Sequence, residues 1–455
     1  MQKSKSNRPR DRLSELPDSL IFQIFWFMPM TGVVRTTLLS KRWKNLWTIN
    51  PCLNFDCSEL DEDEVRVRNF VNRVLLSWRG IKILKFRCYP RESLFSDFNL
   101  WVCFAVDKNV EELYVHGNEI ECTLYLVPQC LYSCSSLKVL LLEDCELKIH
   151  GNVQWNHLKS LTIDGRSGCH CAHVFNQILL GSPQLEVLIL ALEDTNENLN
   201  IRSSSLKRLS FANYLCYHDP ADIELRICTP NLETLEISGV PYGKCMLMNV
   251  SSLTDATLWF YGENRRDYFL PKDIDLWDIL RPILPTIQHV EKVRLSDWCI
   301  KVIGDAKRKH LLSPFPNVKF LTLYAICVEY GQIFGLLEIF PKLKMLVLQD
   351  ESKARPYTYP KSLKFDAKSS LKFKANLPKS FLQQLRAVEI TWAESDNSIF
   401  PFIEILLKHA SNLEKMVIRV IRVDRMMPSS DSLILASQKL LGMPRSSPSC
   451  RVSLL

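Results

Sequence analysis

The chain has 455 residues, 47% of them hydrophobic, with 16 cysteines, only 14 glycines and a formal net charge of +7. That size supports a large core divided into domains. The charge is clustered, with +4 in residues 1–12 and +5 in residues 349–380, so the remainder sums to about −2; a nucleic-acid binder would show a continuous basic face instead.

After a basic tail over residues 1–10, residues 11–50 predict three short helices. Pro17 suits a first helical turn, where its missing N–H costs nothing, and Leu20, Ile21, Ile24, Phe27 and Met28 follow at helical spacing. Pro29 ends that helix. Val33, Val34, Thr37 and Leu38 mark a second, and Ser40 can cap a third that carries Trp43, Leu46 and Trp47. Each helix is shorter than the roughly 12–15 residues needed for marginal stability alone. The unit falls near the ~40-residue limit for independent domains, and it holds more apolar side chains than it can hide. It therefore asks for a protein partner. The apolar run Leu20–Met30 is too short to cross a bilayer, which takes about 20 residues. Glu15, Asp18 and the lack of a small-residue cleavage site argue against a signal peptide. The expected location is cytoplasmic and/or nuclear.

The same segment resembles an F-box. Leu16-Pro17, Leu20-Ile21, Ile24, Val34-Arg35-Thr36-Thr37, Leu39-Ser40-Lys41-Arg42-Trp43 and Leu46-Trp47 match that family's pattern, and Met28 stands where Leu is usual before the proline. The resemblance implies docking onto a Skp-family adaptor and, through it, a cullin. The residues carrying that contact would be Leu16, Pro17, Leu20, Ile21, Ile24, Val34, Leu38, Leu39, Trp43, Leu46 and Trp47.

A repeat L-x-x-L-x-L then runs through residues 51–376 and beyond. Clear copies include Leu137/Leu140/Leu142, Leu206/Leu209/Phe211 and Leu232/Leu235/Ile237, and thirteen are found in all, from Ile81/Leu84/Phe86 to Leu413/Met416/Ile418. Most lie 21 to 29 residues apart, within the leucine-rich-repeat range. Each copy predicts a short strand whose alternate residues point inward, and neighbouring units must stack to bury them. Units of 26–29 residues have room for an outer helix; those of 21 should use extended or 3₁₀ segments. Two long gaps, 261–285 and 349–376, read as inserts, often a binding feature in solenoids.

Residues between the leucines should face solvent on the concave side, and aromatic and Arg residues are the usual interface anchors. Arg208, Trp259, Arg294, Phe320 and Tyr324 are the candidate target contacts. The cysteines show no disulfide spacing and behave as small apolar residues in a reducing compartment. Cys169-His-Cys-Ala-His173 lacks the second half of a zinc site, so a loop with free thiols is expected, with no metal and no cofactor.

Residues 377–455 close the chain. Ile399, Phe402, Ile403, Leu406, Leu407 and Ala410 form one helical face, with Ser398 as cap. Leu377-Pro378, Leu382, Leu385, Val388-Glu389-Ile390, Ala410 and Leu413-Glu-Lys-Met416 resemble the FBD unit that ends many plant F-box repeat proteins. Such a unit would cap the last repeat.

The expected fold is α/β: a three-helix F-box, an irregular leucine-rich-repeat solenoid with parallel strands, and an FBD-type cap. No P-loop, G-x-G-x-x-G, H-E-x-x-H or G-x-S-x-G motif is present. The expected function is a non-catalytic substrate receptor of an SCF-type ubiquitin ligase, with an unknown target protein and neither nucleic acid nor membrane as partner. The alternatives are an adaptor-bound scaffold or a small-molecule sensor without ligase turnover.

Overall fold

A computed structural model describes residues 13, 15–56, 63–88, 92–116, 124–165, 172–192, 197–213, 223–240, 243–260, 275–305, 312–324, 328, 330–349, 382–393, 399–421 and 430–455. They belong to two compact units, Met1–Glu193 and Asp194–Leu455. The basic tail, the basic insert, the cap at Ser398 and most of the Cys169–His173 run lie outside the described residues. No described helix is long and apolar enough to cross a membrane, and the described residues hold no cluster fit for a metal ion.

The first unit opens with α1 (Asp18–Trp26), α2 (Met30–Arg35) and α3 (Lys41–Leu46). Pro17 sits one position earlier than expected, as the cap of α1, and Pro29 serves α2 likewise. Ser40 caps α3, accepting from the Trp43 N–H at 3.5 Å. Helices this short hold only through mutual packing: Phe25 meets Trp43 edge-on at 5.6 Å, and Asp18 pairs with Arg42 between α1 and α3. Asn50, fully buried, receives the Cys52 N–H at 3.2 Å, and its own carbonyl accepts from the Trp78 indole at 2.8 Å. The Asn50 side-chain amide also meets the Met30 sulfur of α2 at 3.8 Å, which ties the helices to the strand that follows.

Those strands are parallel, in the order β1 (Cys52–Phe55), β2 (Lys85–Cys88), β3 (Glu112–His116), β5 (Val139–Glu143), β7 (Ser160–Gly165) and β8 (Val187–Leu192). Between them run α4 (Glu64–Ser77), α5 (Phe95–Asp107), α6 (Gln129–Tyr132) and α7 (Ala172–Gly181), together with the short pair β4 (Tyr125–Leu126) and β6 (Cys145–Glu146). Asp63 caps α4, and Val67, Val71, Val74 and Leu75 turn inward at helical spacing. The repeat register holds at Val110/Leu113/Val115 and onward, where all three positions are buried. It fails at the first copy. Ile81 is 95% exposed, and the inward residues are Ile83, Phe86 and Cys88, two positions later. The strand β1 had no repeat signature.

In the second unit the parallel order is β10 (Arg208–Asn213), β12 (Thr234–Gly239), β14 (Asp255–Phe260), β15 (Lys292–Ser296), β16 (Phe320–Tyr324), β17 (Met345–Gln349), β18 (Ala387–Ala393), β19 (Lys415–Ile421) and β20 (Arg451–Leu454). Behind its start lies a second parallel sheet of β9 (Leu199–Arg202), β11 (Glu224–Cys228) and β13 (Lys244–Met248). These are the extended segments that short repeats require. Farther on, α8 (Leu276–Ile283), α9 (Asp297–Ile303), α10 (Tyr330–Leu337), α11 (Ile399–His409) and α12 (Ser430–Leu441) take over the outer side. The described part of the first expected insert is helical: α8, capped by Asp275, buries Leu276, Trp277, Ile279, Leu280 and Ile283. The closing unit continues the same sheet through β18 and β19 and adds β20. Gly239 ends β12 at φ +93°, and a Cβ there would meet the Asn213 carbonyl oxygen at 1.9 Å, so only glycine fits.

The buried thiols behave as core. Desolvation pushes Cys52 and Cys245 up to about 12 and Cys299 up to about 11. A native-state alkylation at pH 8 is expected to spare these three, with labelling appearing only on denaturation when peptides are mapped by mass spectrometry. Because the folded state holds the thiol protons more tightly, their contribution to stability is full below the unfolded thiol pKa of ~8.5 and declines as pH rises toward 11–12. Rapid labelling of Cys299 in the folded chain would contradict this packing.

Candidate functional site

Two surfaces stand out. The first lies on the N-terminal helices. In α1, Ile21 and Phe25 are buried, while Leu20, Ile24 and Phe27 repeat at i, i+4 and i+7 on the other side and remain exposed. Leu38 and Leu39, in the turn before α3, are also exposed, Leu38 by 87% and Phe27 by 84%. Leu16, Val34 and Trp47 are half-buried and Pro17 is exposed. Ile21, Trp43 and Leu46 are buried within the helices, so they shape the surface and do not form it. Phe27 belongs to the same stripe as Leu20 and Ile24 and was missing from the sequence-based set, although its spacing was visible.

At the end of α1, the Lys85 ammonium lies 4.8 Å from the Trp26 ring and 5.0 Å from Tyr114. Arg87 sits 5.5 Å from the same Tyr114 ring, whose hydroxyl donates to Glu112 at 3.0 Å. Burial, with Glu112 beside it, pushes the Tyr114 phenol up to about 12. These cation–π contacts join the helices to the solvent-facing side of β2 and β3.

The second surface is the solvent-facing side of the second unit's strands. Trp259 and Tyr324 are separated by a whole strand, yet their ring centroids are 4.2 Å apart. Ser296 occupies the intervening position on β15. It is small and buried, and its hydroxyl donates to the Phe260 carbonyl at 3.0 Å. Phe320 is 39% exposed, with the Lys292 ammonium 5.8 Å from its ring. Arg208 is exposed at the start of β10. Arg294 is engaged: its two terminal nitrogens donate to Asp255 at 2.9 and 3.0 Å, and one also donates to Thr257 at 3.1 Å. The structure thus joins Trp259 with Tyr324, leaves Phe320 and Arg208 at separate places, and commits Arg294 to the protein itself.

Beyond these, a notch of about 320 Å³ opens over β17 to β19, lined by Val347, Gln349, Glu389, Ile390, Thr391 and Arg419. Glu389, Thr391 and Arg419 were not among the sequence candidates. They follow the same alternation that placed Val347 and Gln349 outward, continued into the closing unit.

Comparison with known proteins gives these surfaces a context. Residues 13–55 match the F-box domain, and residues 98–252 match the leucine-rich repeats described for FBD-associated F-box protein At5g56370. The chain carries an F-box and is similar to F-box/leucine-rich-repeat proteins. The F-box/FBD/LRR-repeat protein At1g13780 of Arabidopsis thaliana is 26% identical over 97% of each chain. FBD-associated F-box protein At4g13985 of the same plant is 27% identical, covering 98% of this chain and 96% of its own length. Putative F-box protein At1g49610, also from Arabidopsis thaliana, reaches 29% over 74% of this chain and 84% of its own. An F-box with leucine-rich repeats implies, in general, a non-catalytic substrate adaptor that binds a Skp-family protein. The exposed stripe on α1 belongs to the matched F-box, and Trp259 follows the matched repeats.

Proposed function

We propose that this F-box protein is the substrate-recognition subunit of an SCF-type ubiquitin ligase, acting in the cytoplasm and/or nucleus. The observation that carries the reading is the set of large apolar side chains left exposed on the F-box helices, Leu20, Ile24, Phe27, Leu38 and Leu39. A set of this kind marks a protein-binding surface. Fully burying each would contribute about 1.5–3 kcal/mol. The chain would hold the adaptor, and through it a cullin, at one place and a target on its repeats at another. Its contribution to the reaction would be proximity and orientation.

The test is reconstitution. Full-length chain co-expressed with a Skp-family adaptor and a cullin–RING pair should purify as one complex and transfer ubiquitin to a bound target. Complex formation without any transfer would favour a scaffold, and no complex at all would end the reading. On the target side, Trp259→Ala with Tyr324→Ala is expected to weaken target binding by at least about 2 kcal/mol, the usual threshold for interface anchors. That is about 30-fold in Kd. Adaptor binding, scored in the same pull-down, should be unchanged; joint loss would indicate misfolding.

A further inference from the structure

The strand face of the second unit carries a transverse row whose chemistry changes along its length. Trp259, Ser296, Tyr324, Gln349, Thr391 and Arg419 occupy successive positions on β14 to β19. Ser296 pairs with Tyr324, Tyr324 with Gln349, and Thr391 with Arg419, while Trp259 follows Leu258 as Ser296 follows its partner Leu295. Gln349 and Thr391 likewise follow the paired Leu348 and Ile390. One end of the row is aromatic. The other is the notch, where a guanidinium, a carboxylate, an amide and a hydroxyl converge.

What distinguishes the polar end is that its groups are unused. Among the described residues, no hydrogen bond or ion pair engages the side chains of Gln349, Glu389, Thr391 or Arg419. Arg294, a few strands away, shows the contrast, because Asp255 already takes its fork. Arg419 is therefore the guanidinium free to receive a ligand carboxylate in the bidentate geometry that Arg favours. Glu389, one strand away, is an acceptor for ligand N–H groups.

The length of the row narrows the occupant. At ~4.8 Å per strand, Tyr324 and Arg419 are about 14 Å apart and Trp259 and Arg419 about 24 Å. An extended chain covers these distances in roughly four and seven residues at ~3.3 Å each. The notch sits at the low end of ligand-pocket volumes, room for one side chain and too little for a ligand filling the whole row. We propose that the row binds an extended target peptide, with an aromatic or long aliphatic side chain on Trp259 and Tyr324 and an acidic residue four to seven positions away on Arg419. This rests on the receptor reading above and names the class of target segment.

The test uses random twelve-residue peptides displayed on phage and selected on the full chain, with and without the Skp-family adaptor. Wild type, Arg419→Glu and the remote surface variant Leu180→Glu are compared, and thermal melts confirm that all three are folded. Wild type and Leu180→Glu should enrich an apolar residue and an acidic one at the stated separation. Arg419→Glu should lose the acidic preference by about tenfold, the value of one charge-assisted hydrogen bond, and keep the apolar one. No enriched motif, or an acidic preference indifferent to Arg419→Glu, overturns the proposal. Adaptor retention is read on the same samples: a chain that binds no adaptor refutes the receptor reading, whereas an adaptor-bound chain lacking this motif refutes the row alone.

Discussion

Leu209→Asp is expected to abolish the folded second unit. Leu209 is fully buried on β10, stacked in register against Leu235 of β12. A carboxylate there would have to ionise without a partner or remain protonated at neutral pH, and either outcome costs several kcal/mol. Set against the 5–15 kcal/mol typical of whole domains, one such change is a large fraction of the total. Each repeat is supported mainly by its neighbours, so the damage should spread along the stack. Thr234→Asp, directly across from Arg208 and Asp255 on the solvent side, is the matched control. Its new charge meets one cation and one anion, each worth only about 0.2–1 kcal/mol across strands. A melt of the two variants should show loss of the cooperative transition for Leu209→Asp and a shift within about 3 °C for Thr234→Asp. Equal destabilisation would mean that the assigned strand register is wrong.

The second large effect concerns the adaptor. Leu20→Glu combined with Leu38→Glu places two charges on side chains that are already exposed in the free chain, so the fold should be spared. If both leucines become buried on docking, the lost apolar contacts amount to ~3–6 kcal/mol, and the desolvated carboxylates add to that. Adaptor affinity should fall by ~10²-fold or more, measured by titration calorimetry with purified partners. Leu180→Glu on α7, also highly exposed, controls for the general effect of charging a surface leucine. Wild-type affinity in the double variant would move the adaptor contact elsewhere on the chain.

The strands were legible because period-two alternation anchored on leucine leaves little freedom of register: a slip by one would turn Leu140, Leu161 or Leu235 into solvent. The exception explains itself. Ile81-Lys-Ile-Leu-Lys-Phe-Arg-Cys88 offers two apolar readings two residues apart, and only packing selects Ile83, Phe86 and Cys88. β1 and β20 were missed because each has four residues and lies at an end of its unit's strand order, where one neighbour suffices and no full repeat is needed. The outer strands β9, β11 and β13 were expected only as extended segments, since short alternations carry weak signals. On the candidate site, the outward residues were readable one strand at a time. Their assembly was not. Contact between Trp259 and Tyr324 depends on the small Ser296 between them, and the juxtaposition of Gln349 with Thr391 spans the longest gap between successive copies of the repeat. For the F-box, helical spacing identified apolar positions without revealing which side would be covered: Ile21 and Leu20 are adjacent in sequence and opposite in fate.

The change of backing along the second unit has a mechanical consequence. Where β9, β11 and β13 lie behind β10, β12 and β14, both sides of the stack advance by the same ~4.8 Å per repeat, and that stretch has no reason to bend. From α8 to α10, successive helices pack side by side on the outer surface, and Phe334 of α10 meets Phe402 of α11 at 5.0 Å; neighbouring helix axes need about 8–10 Å. The strands in front still advance by half as much. Each such repeat is a wedge, and successive wedges must arc the sheet toward its strand side. Trp259 stands on the last straight repeat and Arg419 well inside the arc, so a segment laid along the row would meet a flat approach at its apolar end and an enclosing wall at its charged end.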